Sequence, residues 1–276
     1  MSNLSIKFYG TRGSIPICDP EMAEFGGNTT CIAFYRKKNN RLSIMDAGTG
    51  IRNLGKEMKQ SFGDQKDLSI TFSHFHWDHI QGFPFFDPAY DPEMSITIQV
   101  LGKEMASSDL RQIFAQQMME DYFPVPLHRM GATFHFEASA DNLILGDDVI
   151  LNSIAQYHPG GSLGFRVEVD GVTFVVCTDH EHGDQVEEKY VDFARGADVL
   201  IHDAQYTTEE LTTHKGWGHS SYEQCMELAE RAGVERLYFT HHDPDHNDDF
   251  LRQMEKKCQD RFKNSFMARE GMEIQL

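Results

Sequence analysis

Residues 73–82 read SHFHWDHIQG, and the apolar run Leu68–Phe72 ahead of them ends where the histidines begin. Four groups able to hold a metal ion, His74, His76, Asp78 and His79, fall within six residues. A loop leaving a strand can aim several side chains at one point, and neutral imidazole and carboxylate are ligands that suit zinc, iron or manganese. Four of them this dense can begin two adjacent metal sites. The competing reading is a polar surface loop that happens to be rich in histidine. H-x-H-x-D-H spacing at the end of an apolar strand argues against it.

Four residues cannot fill two metal shells, so further ligands are expected at other strand ends. His158 follows the strand ending at Tyr157, Asp179 follows VTFVVC within TDHEHGD, and His241 ends RLYFTHH. Each alone would read as a structural histidine or a turn aspartate; as a set beside H-x-H-x-D-H they read as ligands. His180, His182 and His242 leave the register at two of these positions open. Strand alternation sends neighbours to opposite sides, so Asp179 and His241 are kept as ligands. His180 or His182 is then placed near the substrate or in a solvated loop.

The 276 residues are 40% hydrophobic and 25% charged, an ordinary globular composition, without a linker or repeat, and are treated as one domain over 1–276. A formal net charge of -18 repels polyanions, so long nucleic acids are not expected as partners. Bound metal ions would still capture a small phosphorylated ligand. Five cysteines without a C-x-x-C pair point to neither a disulfide framework nor a thiolate zinc cluster. No run reaches the roughly 18–20 apolar residues of a membrane span, and the N-terminus has no basic segment followed by an apolar one. A cytoplasmic protein without membrane attachment is expected.

Strands are predicted at Leu4–Tyr9, Cys31–Tyr35, Leu42–Met45, Ser95–Leu101, Gly131–Glu137, Val149–Tyr157, Gly164–Val169, Val172–Cys177, Val199–His202 and Arg236–Thr240. Helical spacing covers Gly50–Ser61, Met105–Tyr122, Gln185–Ala194, Ser221–Gly233 and Asp248–Phe262. Two blocks of strands followed by helices suggest packed sheets with helices outside. Segment 83–130, with FPFFDPAYDP and the helix from Met105, reads as a lid or wall over the site. Phe83, Phe85, Phe86 and Tyr90 in it suit either core packing or stacking on a base. The helix itself offers either a homodimer surface or core cover.

These residues resemble the metallo-β-lactamase superfamily, in which H-x-H-x-D-H and three later ligands hold a binuclear centre. FYGTRGSIP, FGGNTTC and the stretch IHDAQYT…GWGHSSYEQ…ERLYFTHHD look like its ribonuclease Z and small-phosphodiesterase branch; the likeness spans roughly residues 5–246. The resemblance implies an α+β fold, a four-layer αβ/βα sandwich of two mixed β-sheets flanked by helices. It implies that His74, His76 and His158 hold one metal, that Asp78, His79 and His241 hold the other, and that Asp179 bridges them. Asp78 and His219 would serve catalysis, His219 of GHSS lying near the scissile phosphate. Asp46 of IMDAG would support the ligands; Ser220 joins His180 and His182 as a substrate-side candidate.

The chain has no long Gly/Pro-rich arm of the kind ribonuclease Z uses to grip transfer RNA. The expectation is therefore a metal-dependent phosphodiesterase acting on a small cyclic nucleotide or cyclic phosphate through two divalent ions, zinc first, with iron or manganese also admitted. Two other readings share the site: a non-hydrolytic diiron or metal-dependent sensor or redox protein, and a thioester or lactone hydrolase.

Overall fold

Alternation puts Leu4, Ile6 and Phe8 on one face of the first strand, and all three are buried. The computed structural model describes residues 3–62, 65–102, 105–139, 143–144 and 149–276. Its strands are β1 Leu4–Gly10, β2 Cys31–Arg36, β3 Arg41–Met45, β4 Asp67–Thr71, β5 Ser95–Leu101, β6 Thr133–Ser139, β7 Leu143–Ile144, β8 Val149–Gln156, β9 Ser162–Val169, β10 Val172–Cys177, β11 Val199–Asp203, β12 Arg236–Thr240, β13 Ser265–Met267 and β14 Glu273–Gln275. The α-helices are α1 Ile51–Ser61, α2 Trp77–Ile80, α3 Ser107–Gln117, α4 Glu188–Ala194, α5 Thr208–Leu211, α6 Tyr222–Ala232 and α7 Asp248–Arg261. Two compact units result: Met1–Gly10 with Thr30–Asp141 and Glu273–Leu276, and Thr11–Thr29 with Asn142–Met272.

The first unit holds a sheet in the order β14-β1-β2-β3-β4-β5-β6. Its strands pair antiparallel from β14 to β3 and parallel from β3 to β6. Parallel neighbours need a crossover, and α1 supplies the one between β3 and β4, burying Ile51, Leu54 and Met58 at i, i+3 and i+7. Phe114 of α3 packs 4.9 Å from Phe83 and 5.1 Å from Phe72, ring centroid to centroid. Full burial of such a side chain is worth about 1.5–3 kcal/mol. Phe83 and Phe86 are core residues of this unit, whereas Phe85 is exposed and meets Phe123 edge-on.

The helix expected over 105–122 is shorter. Ala106 is extended at its N-cap and Met118 leaves helical geometry. Met119 and Tyr122 instead close a turn, consistent with Pro124 and Pro126 just beyond, which disfavour helix in the residues before them.

The second unit repeats the same programme: order β13-β12-β11-β10-β9-β8-β7, antiparallel from β7 to β10 and parallel from β10 to β13. Its core joins Val175, Leu200, Leu237 and Phe239 of the sheet to Tyr190 of α4, Leu228 of α6 and Leu251 of α7. Sequence punctuation sets the helix ends. Ser221 and Gln224 form a capping box at α6, and Gly233 closes it in the left-handed conformation. Asn247 caps α7 by accepting from Phe250 N–H. Cys31, Cys177, Cys225 and Cys258 are free and buried. Among the described residues no helix is long and apolar enough to cross a membrane.

Candidate metal centre

In the first unit β4 delivers the chain to Ser73, and the single turn α2 winds Asp78 and His79 behind His74 and His76. Asp46, one residue beyond β3, organises this loop: its carboxylate accepts from Ser73 N–H and Ser73 Oγ, each at 2.8 Å, and lies 2.8 Å from His79 Nδ1. These bonds fix tautomers. His79 donates Nδ1–H to Asp46, so its lone pair is on Nε2, 3.3 Å from Asp78 Oδ2. Ser73 gives its only proton to Asp46, so it accepts from His74 Nδ1 at 3.1 Å, and the His74 lone pair is likewise on Nε2. The His74 ring centroid lies 4.5 Å from that of His76 and 4.3 Å from that of His79. His76 is exposed; His74, Asp78 and His79 are buried.

The second unit sets its imidazoles by the same device. His158 Nδ1 donates to Gly218 O at 3.1 Å and His241 Nδ1 to Gln205 Oε1 at 3.3 Å. Their Nε2 atoms then face opposite oxygens of Asp179, His158 at 3.6 Å from Oδ2 and His241 at 3.3 Å from Oδ1. A carboxylate with one oxygen toward each of two imidazole lone pairs is a bridging arrangement. Lone pair and carboxylate oxygen at such distances repel, and a divalent cation between them turns that repulsion into binding. The donor set fits the metal.

Three of these residues, Asp46, Asp179 and His241, sit at φ 58°, 55° and 60°. Non-glycine residues held at positive φ cost about 1–3 kcal/mol each and cluster at functional sites. Two glycines give the rings room. A Cβ on Gly218 would lie 2.1 Å from His158 Nδ1, and one on Gly13 would lie 2.3 Å from His241 Nδ1.

His219 Nδ1 lies 2.6 Å from Asp203 Oδ2, and its ring stacks on His241 with centroids 4.9 Å apart. The ligand-type atoms of His158, Asp179 and His219 all fall within 4.8 Å of one another. Asp203 is fully buried and also accepts from His180 N–H and Gln205 N–H. Glu181 accepts from Gly216 N–H and Gly218 N–H, tying down the loop that precedes His219.

The remaining candidates are placed as follows. His180 and His182 are buried, with Nε2 of the first 3.0 Å from Nδ1 of the second, against Tyr190 and His202. Burial holds both well below the usual histidine pKa, keeping them neutral. His182 lines an open cleft of about 510 Å³ with His158. Ser220 is buried, and its hydroxyl donates to His180 O. His242 turns the other way, Nε2 donating to Ala268 O at 2.9 Å, and burial lowers its pKa to about 3.

Asp203, Gln205, Glu181, Gly13 and Gly218 were not singled out from the sequence. Asp203 alone carried a usable signal, as another acidic residue ending an apolar strand.

Similarity to known proteins bears on the fold and the family. The family described as "Beta-lactamase superfamily domain" matches residues 43–242. A ribonuclease Z of Lactococcus lactis is 34% identical over 98% of this chain and 99% of its own length. The metallo-β-lactamase fold protein YhfI of Bacillus subtilis superposes with a TM-score of 0.72 at 16% identity, covering all of both chains. A diphosphatase of the PhnP family superposes with a TM-score of 0.71 at 15% identity, over 99% of this chain and 98% of that one. The two mixed sheets and their helices are the metallo-β-lactamase fold, and the chain belongs to that superfamily as a hydrolase related to ribonuclease Z.

Proposed function

We propose that the protein hydrolyses phosphodiesters of small phosphorylated molecules, cyclic nucleotides or cyclic phosphates among them, with two divalent ions, zinc first. The observation that carries this reading is the hydrogen bond from His219 to the buried carboxylate of Asp203, beside the His158–Asp179–His241 donors. In the assignment taken from the family pattern, His74, His76 and His158 serve one ion, Asp78, His79 and His241 the other, and Asp179 both. Bound metal ions would supply an activated water and neutralise phosphate charge.

The chain's own residues handle the proton on the leaving side. Asp203 accepts Nδ1–H of His219, which fixes the ring with the opposite nitrogen turned away from Asp203, where a protonated His219 can give Nε2–H to a departing alkoxide. Asp46, Gly218 O and Gln205 hold the ligating imidazoles in the tautomer that leaves Nε2 bare. A net charge of -18 favours a small substrate over a polyanion.

The test is a panel of bis(p-nitrophenyl) phosphate, cyclic nucleotides, cyclic ribose phosphates and short RNA, assayed with zinc, manganese and iron. Turnover of the small diesters, abolished by chelation, is expected. Cleavage confined to RNA would remove the small-substrate reading, and no diesterase turnover with any metal would remove the whole.

A further inference from the structure

The open cleft of about 510 Å³ beside His158 is lined by Tyr157, Glu181, His182 and Glu187, with no lysine or arginine among the described lining residues. Its size suits a nucleoside-sized group. Glu181 cannot swing away, because Gly216 N–H and Gly218 N–H hold its carboxylate at 2.8–2.9 Å. Glu187 stands just before α4, and its carboxylate makes no capping hydrogen bond there. Lys189 lies 3.3 Å from Glu187 and 4.5 Å from the Tyr157 ring centroid, which offsets one of the two carboxylates. Lys215, whose charge also reaches Glu181, is held by Asp184 at 2.8 Å, so the cleft remains acidic.

The histidine in this wall has a fixed tautomer. Tyr157 N–H donates to His180 Nδ1 at 3.2 Å, so the His180 proton is on Nε2 and is given to His182 Nδ1 at 3.0 Å. His182 therefore keeps its own proton on Nε2. That atom meets no acceptor among the described residues, although the side chain is only 4% exposed.

We infer that this cleft receives the substrate group attached to the scissile phosphate, and that it takes an uncharged ring with hydrogen-bonding edges and turns away a second phosphate. The inference rests on the phosphodiesterase reading above and specifies its substrate class. The carboxylates accept from a ring N–H, and Tyr157 supplies an aromatic face. Added negative charge would meet two carboxylates, Glu187 being offset by Lys189.

The discriminating measurement is kcat/KM for two matched diesters, thymidine 5′-(p-nitrophenyl phosphate) with and without a 3′-phosphate. Wild-type protein is expected to prefer the uncharged nucleoside by about tenfold or more. Glu187→Lys should lower that ratio about tenfold and Glu187→Gln by less, whereas Glu188→Lys, the same charge change on the neighbouring exposed residue, should leave it in place. A wild-type ratio near one, an unchanged ratio in E187K, or an equal shift in E188K overturns the inference while leaving the diesterase reading intact. Failure of wild-type protein to cleave either compound or bis(p-nitrophenyl) phosphate overturns both.

Discussion

Asp203 Oδ2 lies 2.6 Å from His219 Nδ1, with both side chains buried. The same carboxylate accepts two backbone N–H groups, so an amide in its place must turn a donor toward at least one donor. Asp203→Asn is therefore expected to lower kcat about 100-fold on a diester with an alkyl leaving group. On p-nitrophenyl esters, whose leaving group departs without a proton, the loss should be several-fold smaller. Steady-state rates across leaving groups of rising pKa check this; an equal loss on all would assign Asp203 to structure alone.

Asp46 positions His79 and, through Ser73, His74. Asp46→Asn preserves shape and tolerates the positive φ of 58°, but it loses a charged acceptor. Metal affinity is expected to fall about 10–100-fold, read by competition with a chelator of known affinity.

Gly218→Ala places a methyl group 2.1 Å from His158 Nδ1 at a backbone φ of +93°. The ring must move, so activity should drop at least tenfold, and overpacking should cost about 1–3 kcal/mol. Gly13→Ala makes the equivalent intrusion on His241, 2.3 Å from its Nδ1. Thermal melts and metal content of both variants, beside Gly183→Ala where a Cβ meets nothing within 4 Å, separate backbone strain from collision with the ligand.

Arg12 is fully buried and donates to the carbonyls of Gly26, Asp243 and His246. Replacement by Met leaves those acceptors unserved and is expected to destabilise the fold by about 3–5 kcal/mol in chemical denaturation. A loss below about 1 kcal/mol would show that the carbonyls find other partners.

Acid should destabilise the protein through its buried histidines. Burial holds His182 and His202 below the ordinary histidine pKa of 6.5. As pH falls through about 6.5 the unfolded chain takes up protons that the native one refuses, so each residue removes up to about 1.4 kcal/mol per pH unit until its folded pKa is reached. His182→Gln should make the decline in stability between pH 6.5 and 5 shallower than in wild type, at equal metal loading. Parallel curves would mean that His182 is not held neutral.

The residues legible in the sequence were those whose signal is local. Seven of the eleven expected strands begin at their predicted residue, because apolar runs bounded by Gly and polar clusters specify them. The cluster His74–His79 is dense enough to be read without a fold. β13 and β14 were missed, since three residues carry almost no period. Asp203, Glu181 and Gly218 were missed for another reason: each acts on a partner 15 or more residues away, His219, Gly216 and His158. The positions of His180 and His182 also depended on packing, since a histidine pair hydrogen-bonded to itself leaves no pattern in a single sequence.

Asp46, Asp179 and His241, each close behind a strand, share left-handed backbone. At these three points the main chain restricts the usable residues to a handful before any question of chemistry is asked, since most side chains collide with their own carbonyl there. A mutational scan will therefore register intolerance at 46, 179 and 241 that mixes two causes, and Asn or Gly at each is the substitution that separates them. Variation in such a chain is free to remodel the cleft around His182, while the strand-end positions pass from one sequence to the next under a double constraint.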